Sequence, residues 1–228
     1  MGTVVRTVTN TGPRRIMPTD ARLLTLTQWL SPSYPIGAFA WSHGVEQAIA
    51  EGRIADAAGL EAWLRTCLRE GSGRSDAIWL RLAAGAGDVH DLDAEARAFA
   101  PSSERLAETV RQGAAFVRTT NAVWELDLPK LVLPVAVGRA VRIRALEPDA
   151  AVLLYVQAFA SNLVSAALRL MPLGQTEGQQ VLAALQDDIM SLEAETRGAT
   201  RDDIFSNAFL SDIASMRHET LEPRLFQS

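Results

Sequence analysis

Between Ala150 and Leu170, the residues Leu153, Val156, Ala160, Leu163, Ala167 and Leu170 recur three and four apart, with small side chains between them. That is the period of a helix that is apolar over most of its surface and therefore needs neighbours on several sides. One such element commits much of the remaining chain to surrounding it, and helices are the natural partners. Met171-Pro172-Leu173-Gly174 ends the run. Thr176 with Gln179 fits a capping box for a following helix of Leu182, Leu185, Ile189 and Leu192, so the two runs form a hairpin.

The rest of the chain repeats the helical pattern. A Thr19-Asp20 cap precedes Leu23, Leu26 and Leu30, which Pro32 stops; Ser42 to Ala50 makes a short helix that Gly52 ends. Asp56 can cap a helix with a clear stripe of Leu60, Trp63, Leu64, Cys67 and Leu68, and Ile78, Trp79, Leu82 and Ala83 continue the series after Gly71-Ser72-Gly73. Asp91 to Phe99 is polar and should lie at the periphery. A longer helix after Pro101 carries Leu106, Val110, Gly113 and Val117, where the glycine marks either close helix contact or tolerance. Only Leu126 to Leu146 is ambiguous, because Val141-Arg142-Ile143-Arg144 alternates like a strand. A strand without a partner leaves its backbone groups unpaired, so helix or irregular structure is expected there. The prediction is an all-α, single-domain, compact bundle of roughly ten helices over residues 20–216, with a disordered extension at 1–19 and a distinct tail at 217–228.

A length of 228 residues supports one substantial core. The net charge of −5 and the lack of a basic face argue against nucleic acid or an anionic membrane as the main partner. Cys67 is alone, which excludes an intrachain disulfide and suits a reducing compartment. No unbroken apolar run reaches the roughly 18 residues needed to cross a bilayer, and the first residues lack a secretory core, so a cytoplasmic location is expected.

Two stretches stand apart from the helical pattern. Leu30 to Glu46 packs Pro32, Pro35, Gly37, Gly44, Tyr34, Phe39 and Trp41 into a stiff turn between helices. On residue physics alone its aromatics belong to a core connection, with a binding surface as the alternative. At the other end, Leu225-Phe226 is an apolar pair that must dock either on the chain's own core or on a partner. Chemistry is poorly signalled. His43 and Glu46 lie one helical turn apart and read as a surface pair, the acids around His90 read as a cap with a solvated face, and His218 has no Cys or second His beside it. No phosphate loop, dinucleotide motif or nucleophile elbow occurs. No cofactor is expected. A helical metalloenzyme using His43, Glu46 and His218, or a plain oligomerisation module, remain as alternatives.

Three blocks carry a resemblance. Leu30-Ser31-Pro32, then Pro35-Ile36-Gly37-Ala38-Phe39 leading into Trp41-Ser42-His43-Gly44-Val45-Glu46, form the first. Ser161-Asn162-Leu163-Val164-Ser165-Ala166 followed by Arg169-Leu170-Met171-Pro172-Leu173-Gly174-Gln175-Thr176 form the second. Met216-Arg217-His218-Glu219-Thr220 with Arg224-Leu225-Phe226 and Ser228 form the third, although Leu221-Glu222-Pro223 departs from the usual pattern. Together they resemble the UreF family of urease accessory proteins. The resemblance implies a non-catalytic helical homodimer that binds UreD (UreH in some species), recruits the GTPase UreG, and helps deliver nickel to apo-urease. On that footing the tail, with Arg217, His218, Glu219, Thr220, Arg224, Leu225, Phe226 and Ser228, is expected to order against UreD, and the turn, with Pro35, Gly37, Phe39, Trp41, Ser42, His43 and Glu46, to supply part of the dimer or UreG surface.

Overall fold

A computed structural model describes residues 21–228, so expectations for residues 1–19 and for the Thr19-Asp20 cap lie outside the described residues. Those residues form eleven α-helices and no strand: α1 (Ala21–Trp29), α2 (Val45–Ala50), α3 (Ala57–Glu70), α4 (Ser72–Gly85), α5 (His90–Ala98), α6 (Ser103–Trp124), α7 (Leu133–Ile143), α8 (Pro148–Leu170), α9 (Gln175–Ala184), α10 (Gln186–Glu195) and α11 (Phe209–His218).

The apolar run read from the sequence is α8, and it packs against α1, α2, α3, α4, α7, α9 and α10. Val152, Val156, Ala160, Leu163, Val164 and Ala167 are buried, whereas Leu153 and Leu170 are partly so. Among the described residues α8 alone is long and apolar enough to cross a membrane, but half of that stretch is buried inside the bundle. Helices α4 and α7 make the most intimate pair. Gly138 allows it: a Cβ there would stand 2.2 Å from Leu80 O.

The ambiguous segment resolves as α7, with Pro134 in its first turn, where a missing N–H is harmless. Its strand-like alternation arises because Val141 faces the core while Ile143 ends the helix half exposed. Gly113 marks a close approach to the loop before α7, not to a helix, since a Cβ would stand 2.1 Å from Leu131 O. Helix α5 is less peripheral than its polarity suggests. Its Asp93 is buried and accepts from Val132 N at 2.6 Å, fastening the entry to α7.

Two local readings are corrected. The run from Thr176 to Leu192 is two helices, α9 and α10, joined at Leu185. Its cap lies two residues earlier than expected, with Glu177 Oε2 accepting from Gly174 N at 2.8 Å. The Asp56 cap is as read, its Oδ1 accepting from Gly59 N at 2.8 Å. Cys67 is buried, and burial pushes its thiol up to about 11, so it is an inert core residue.

Candidate partner surface and its buried charge network

The stiff turn and the chain's end, the two segments that the helical pattern does not explain, meet in one corner. Gln227 N donates to Ala40 O at 2.9 Å and Ser42 N donates to Ser228 O at 2.7 Å, so the tail runs beside the turn. Ser42 Oγ also donates to Ser228 O, and His43 N donates to Ser228 Oγ at 3.2 Å. The tail therefore docks on the chain's own body, the first of the two options that the sequence left open. Helix α8 braces both segments: Asn162 Nδ2 donates to Trp41 O at 3.2 Å, and Arg169 donates to Phe39 O at 2.8 Å while its guanidinium lies 4.2 Å from the centre of the Phe226 ring. Ser165, in the same block of α8, is exposed.

Glu46 is the centre of this joint. Its Oε1 accepts from Leu225 N at 2.6 Å, and its Oε2 accepts from Phe226 N at 2.9 Å and faces His218 Nε2 at 3.0 Å. The other ring nitrogen of His218, Nδ1, lies 2.7 Å from Glu104 Oε2, and Glu104 Oε1 accepts from Arg224 at 2.5 Å. The fully buried His218 thus stands between two carboxylates, each of which also holds part of the tail.

His43 belongs to a separate group. It and Gly44 adopt left-handed backbone conformations, with φ of 58° and 79°, which turns the His43 ring inward and away from Glu46. His43 Nε2 lies 2.6 Å from Ser72 Oγ, and Nδ1 is 3.7 Å from Glu108. Burial, helped by the Arg105 charge, pushes the imidazole down to about 4 and keeps it neutral at neutral pH. Burial would push the Glu108 carboxyl up, but Arg105, which donates to it, and His43 hold it down to about 2. Nearby Asp76 is pushed up by burial to about 6, against the pull of Arg105 and the Tyr155 hydroxyl, which donates to it at 2.8 Å.

The surface pair expected of His43 and Glu46 is therefore corrected: both are buried and face different partners. His218 joins Glu46 but not His43, and among the described residues no group of three or more His, Cys, Asp or Glu side chains is placed to hold a metal ion. Of the residues expected to meet a partner, Trp41, Ser42, His43, Glu46, His218, Phe226 and Ser228 are buried within the chain. Gly37 is half-buried, whereas Pro35, Phe39, Arg217, Glu219, Thr220, Arg224 and Leu225 are exposed. Phe39 and Leu225 are 70% and 64% exposed, unusual for side chains of their size. Sequence reasoning missed Glu104, Arg105 and Glu108. The spacing of the last two as an i,i+3 pair on a long helix looks like an ordinary solvated face.

Comparison with known proteins agrees with the three sequence blocks. The UreF family model matches residues 54–186, a span that leaves out both the turn and the tail. The chain is similar to the urease accessory protein UreF of Roseobacter denitrificans, 51% identical over 217 residues, 94% of this chain and 97% of that protein. It is also similar to the urease accessory protein UreF of Cereibacter sphaeroides, 51% identical over 206 residues, 90% of this chain and 98% of that protein. The UreF of Ruegeria pomeroyi is 43% identical over 214 residues, 92% of this chain and 99% of that protein. With its helical fold and matches of this length and identity, the chain belongs to the UreF family of urease accessory proteins.

Proposed function

We propose that this protein acts without catalysis as a cytoplasmic adaptor in urease maturation, and that the joined turn and tail form the surface that binds a UreD/UreH-type partner. In this reading the chain recruits the GTPase UreG and so couples nickel delivery to apo-urease. Nickel is cargo, with no resident metal or cofactor in the chain itself. The observation that carries the reading is the pair of large apolar side chains, Phe39 and Leu225, held out in solvent by a corner whose backbone is fixed from below by Glu46 and Arg169. An exposed apolar anchor on a rigid support is what an interface needs. The buried members of the corner position that surface, and the exposed members touch the partner.

The test is co-expression with UreD. Leu225→Asp and Phe39→Asp, both at exposed positions, should abolish co-purification while leaving helicity and thermal unfolding unchanged. Full-strength recovery of UreD by both variants would sink the assignment. Point changes are cleaner than removing residues 217–228, because that deletion also strips buried His218 from α11. Support for a homodimer lies in the outer face of α11, where Phe209, Leu210, Ile213 and Met216 are exposed together. A monomeric mass in solution at micromolar concentration would remove that part of the reading.

A further inference from the structure

Beneath the 31–39 turn, between α1, α6 and α8, lies a cavity of about 240 Å³. Its walls are aromatic, with Trp29, Tyr34, Phe116 and Phe159 among them, and Asp76, Arg105 and Glu108 contribute a polar side. Pro32, Phe39 and Ser165 are its exposed lining residues and mark the mouth.

Two of the lining side chains carry donors with nothing to donate to. Arg105 Nε and Trp29 Nε1 are buried without a hydrogen-bond partner among the described residues, and the two side chains belong to residues only 7% and 1% exposed. A buried donor left unpaired is costly, so a molecule that brings a lone pair to either one gains what the protein alone forgoes. Charge narrows the choice. Arg105 is already paired with Glu108, and Asp76 adds a second carboxylate to the same cavity, so an anion would meet net repulsion. Size narrows it further. An apolar cavity of about 150 Å³ suffices for benzene, which leaves room here for a substituted ring.

We propose that this cavity is a binding site for a small uncharged compound with an apolar, ring-sized body and a carbonyl or hydroxyl oxygen that accepts from Arg105 or Trp29. The site shares Phe39 with the proposed partner surface, but its test uses this protein alone, so it can fail while the partner reading stands, and the reverse.

The experiment titrates the full-length protein with benzamide, toluene and benzoate, which share a ring and differ in acceptor and charge. Binding is followed calorimetrically and through the indole N–H resonance of Trp29, assigned with Trp29→Phe. Benzamide should saturate the site and shift that resonance, binding about tenfold tighter than either analogue, the equivalent of one recovered hydrogen bond. Ser165→Trp, at an exposed mouth position, should weaken benzamide by about tenfold or more with unfolding unchanged. Arg105→Lys or Trp29→Phe, whichever removes the donor in use, should erase the preference for benzamide over toluene, and its survival in both would overturn the proposal. The proposal is overturned if the three probes bind equally, if benzamide does not bind up to its solubility limit, or if Ser165→Trp binds it as tightly as the parent. Should Arg105→Lys fail to fold, the ranking of the probes and the mouth variant still decide.

Discussion

The heart of the bundle and its turn–tail corner are both buried, yet they are held in opposite ways. Around α4, α7 and α8 the contact is apolar, close and made largely of Ala, Val and Leu, with Gly138 letting two helices nearly touch. In the corner the contact is ionic and directional, with Glu46, Glu104 and His218 linking residues more than a hundred positions apart. Shape complementarity tolerates small local losses, because packing energy is spread over many atoms. A charge network is concentrated in a few groups, and removing one leaves the others buried and unmatched.

The sharpest way to break this contrast is Glu46→Ala. It strands two backbone N–H groups and His218 at once, and should cost about 4 kcal/mol locally. Hydrogen exchange at the Leu225 and Phe226 amides reads that cost directly, and these amides should lose nearly all their protection while α8 keeps its own. If the two amides remain as protected as in the parent, Glu46 does not hold the tail. Gly138→Ala should do the reverse. Its added methyl meets the Leu80 carbonyl, costs about 3 kcal/mol and lowers the global unfolding temperature, with protection falling throughout and not in the tail alone. An unchanged melting temperature would show that α4 and α7 separate freely.

The smallest effect concerns His43 and pH. Its imidazole sits near 4 in the folded protein and near 6.5 when unfolded, so between these values the unfolded chain holds a proton that the folded chain refuses. Stability from the neutral ring is therefore fully present above about 6.5 and is lost as pH falls towards 4, by about 2–3 kcal/mol across the window. Asp76 runs the other way. Folding raises its carboxyl from 3.8 to about 6, so its contribution is lost as pH rises through that interval. Comparing His43→Asn with the parent isolates the first term, and asparagine suits the left-handed backbone there. The gap in unfolding temperature between the two should narrow from pH 7 to pH 4; a gap independent of pH would mean that the buried ring is not held neutral.

Much of the heart was legible in the sequence, and little of the corner was. Apolar period is a local signal, so the α8 stripe, the Asp56 cap and the helical nature of the chain could be read from neighbours in sequence. Even Val141 to Arg144, which alternates like a strand, could be argued towards helix from unpaired backbone. The division of α9 from α10 at Leu185 escaped, because a single-residue joint changes hydrogen bonding without disturbing the apolar spacing. The corner could not be read in this way. Resemblance picked out both of its segments, but nothing in either one announces that Glu46 meets Leu225 or that His43 turns away from Glu46 through a left-handed backbone. Glu104, Arg105 and Glu108 were invisible for the same reason, since charges on a long helix ordinarily face water and only the fold buries these.

The seating of Ser228 beside Ser42 also sets an order of events during synthesis. The turn leaves the ribosome well before residues 217–228, so the central helices can assemble while Glu46 and Ser42 still lack the groups that will cover them. Without residues 217–228 in place, Glu46 and Ser42 would form an uncovered, polar notch beside the helices. Closing that notch joins positions 186 apart in sequence, so the entropic cost of a very long loop falls on these few ionic and backbone contacts.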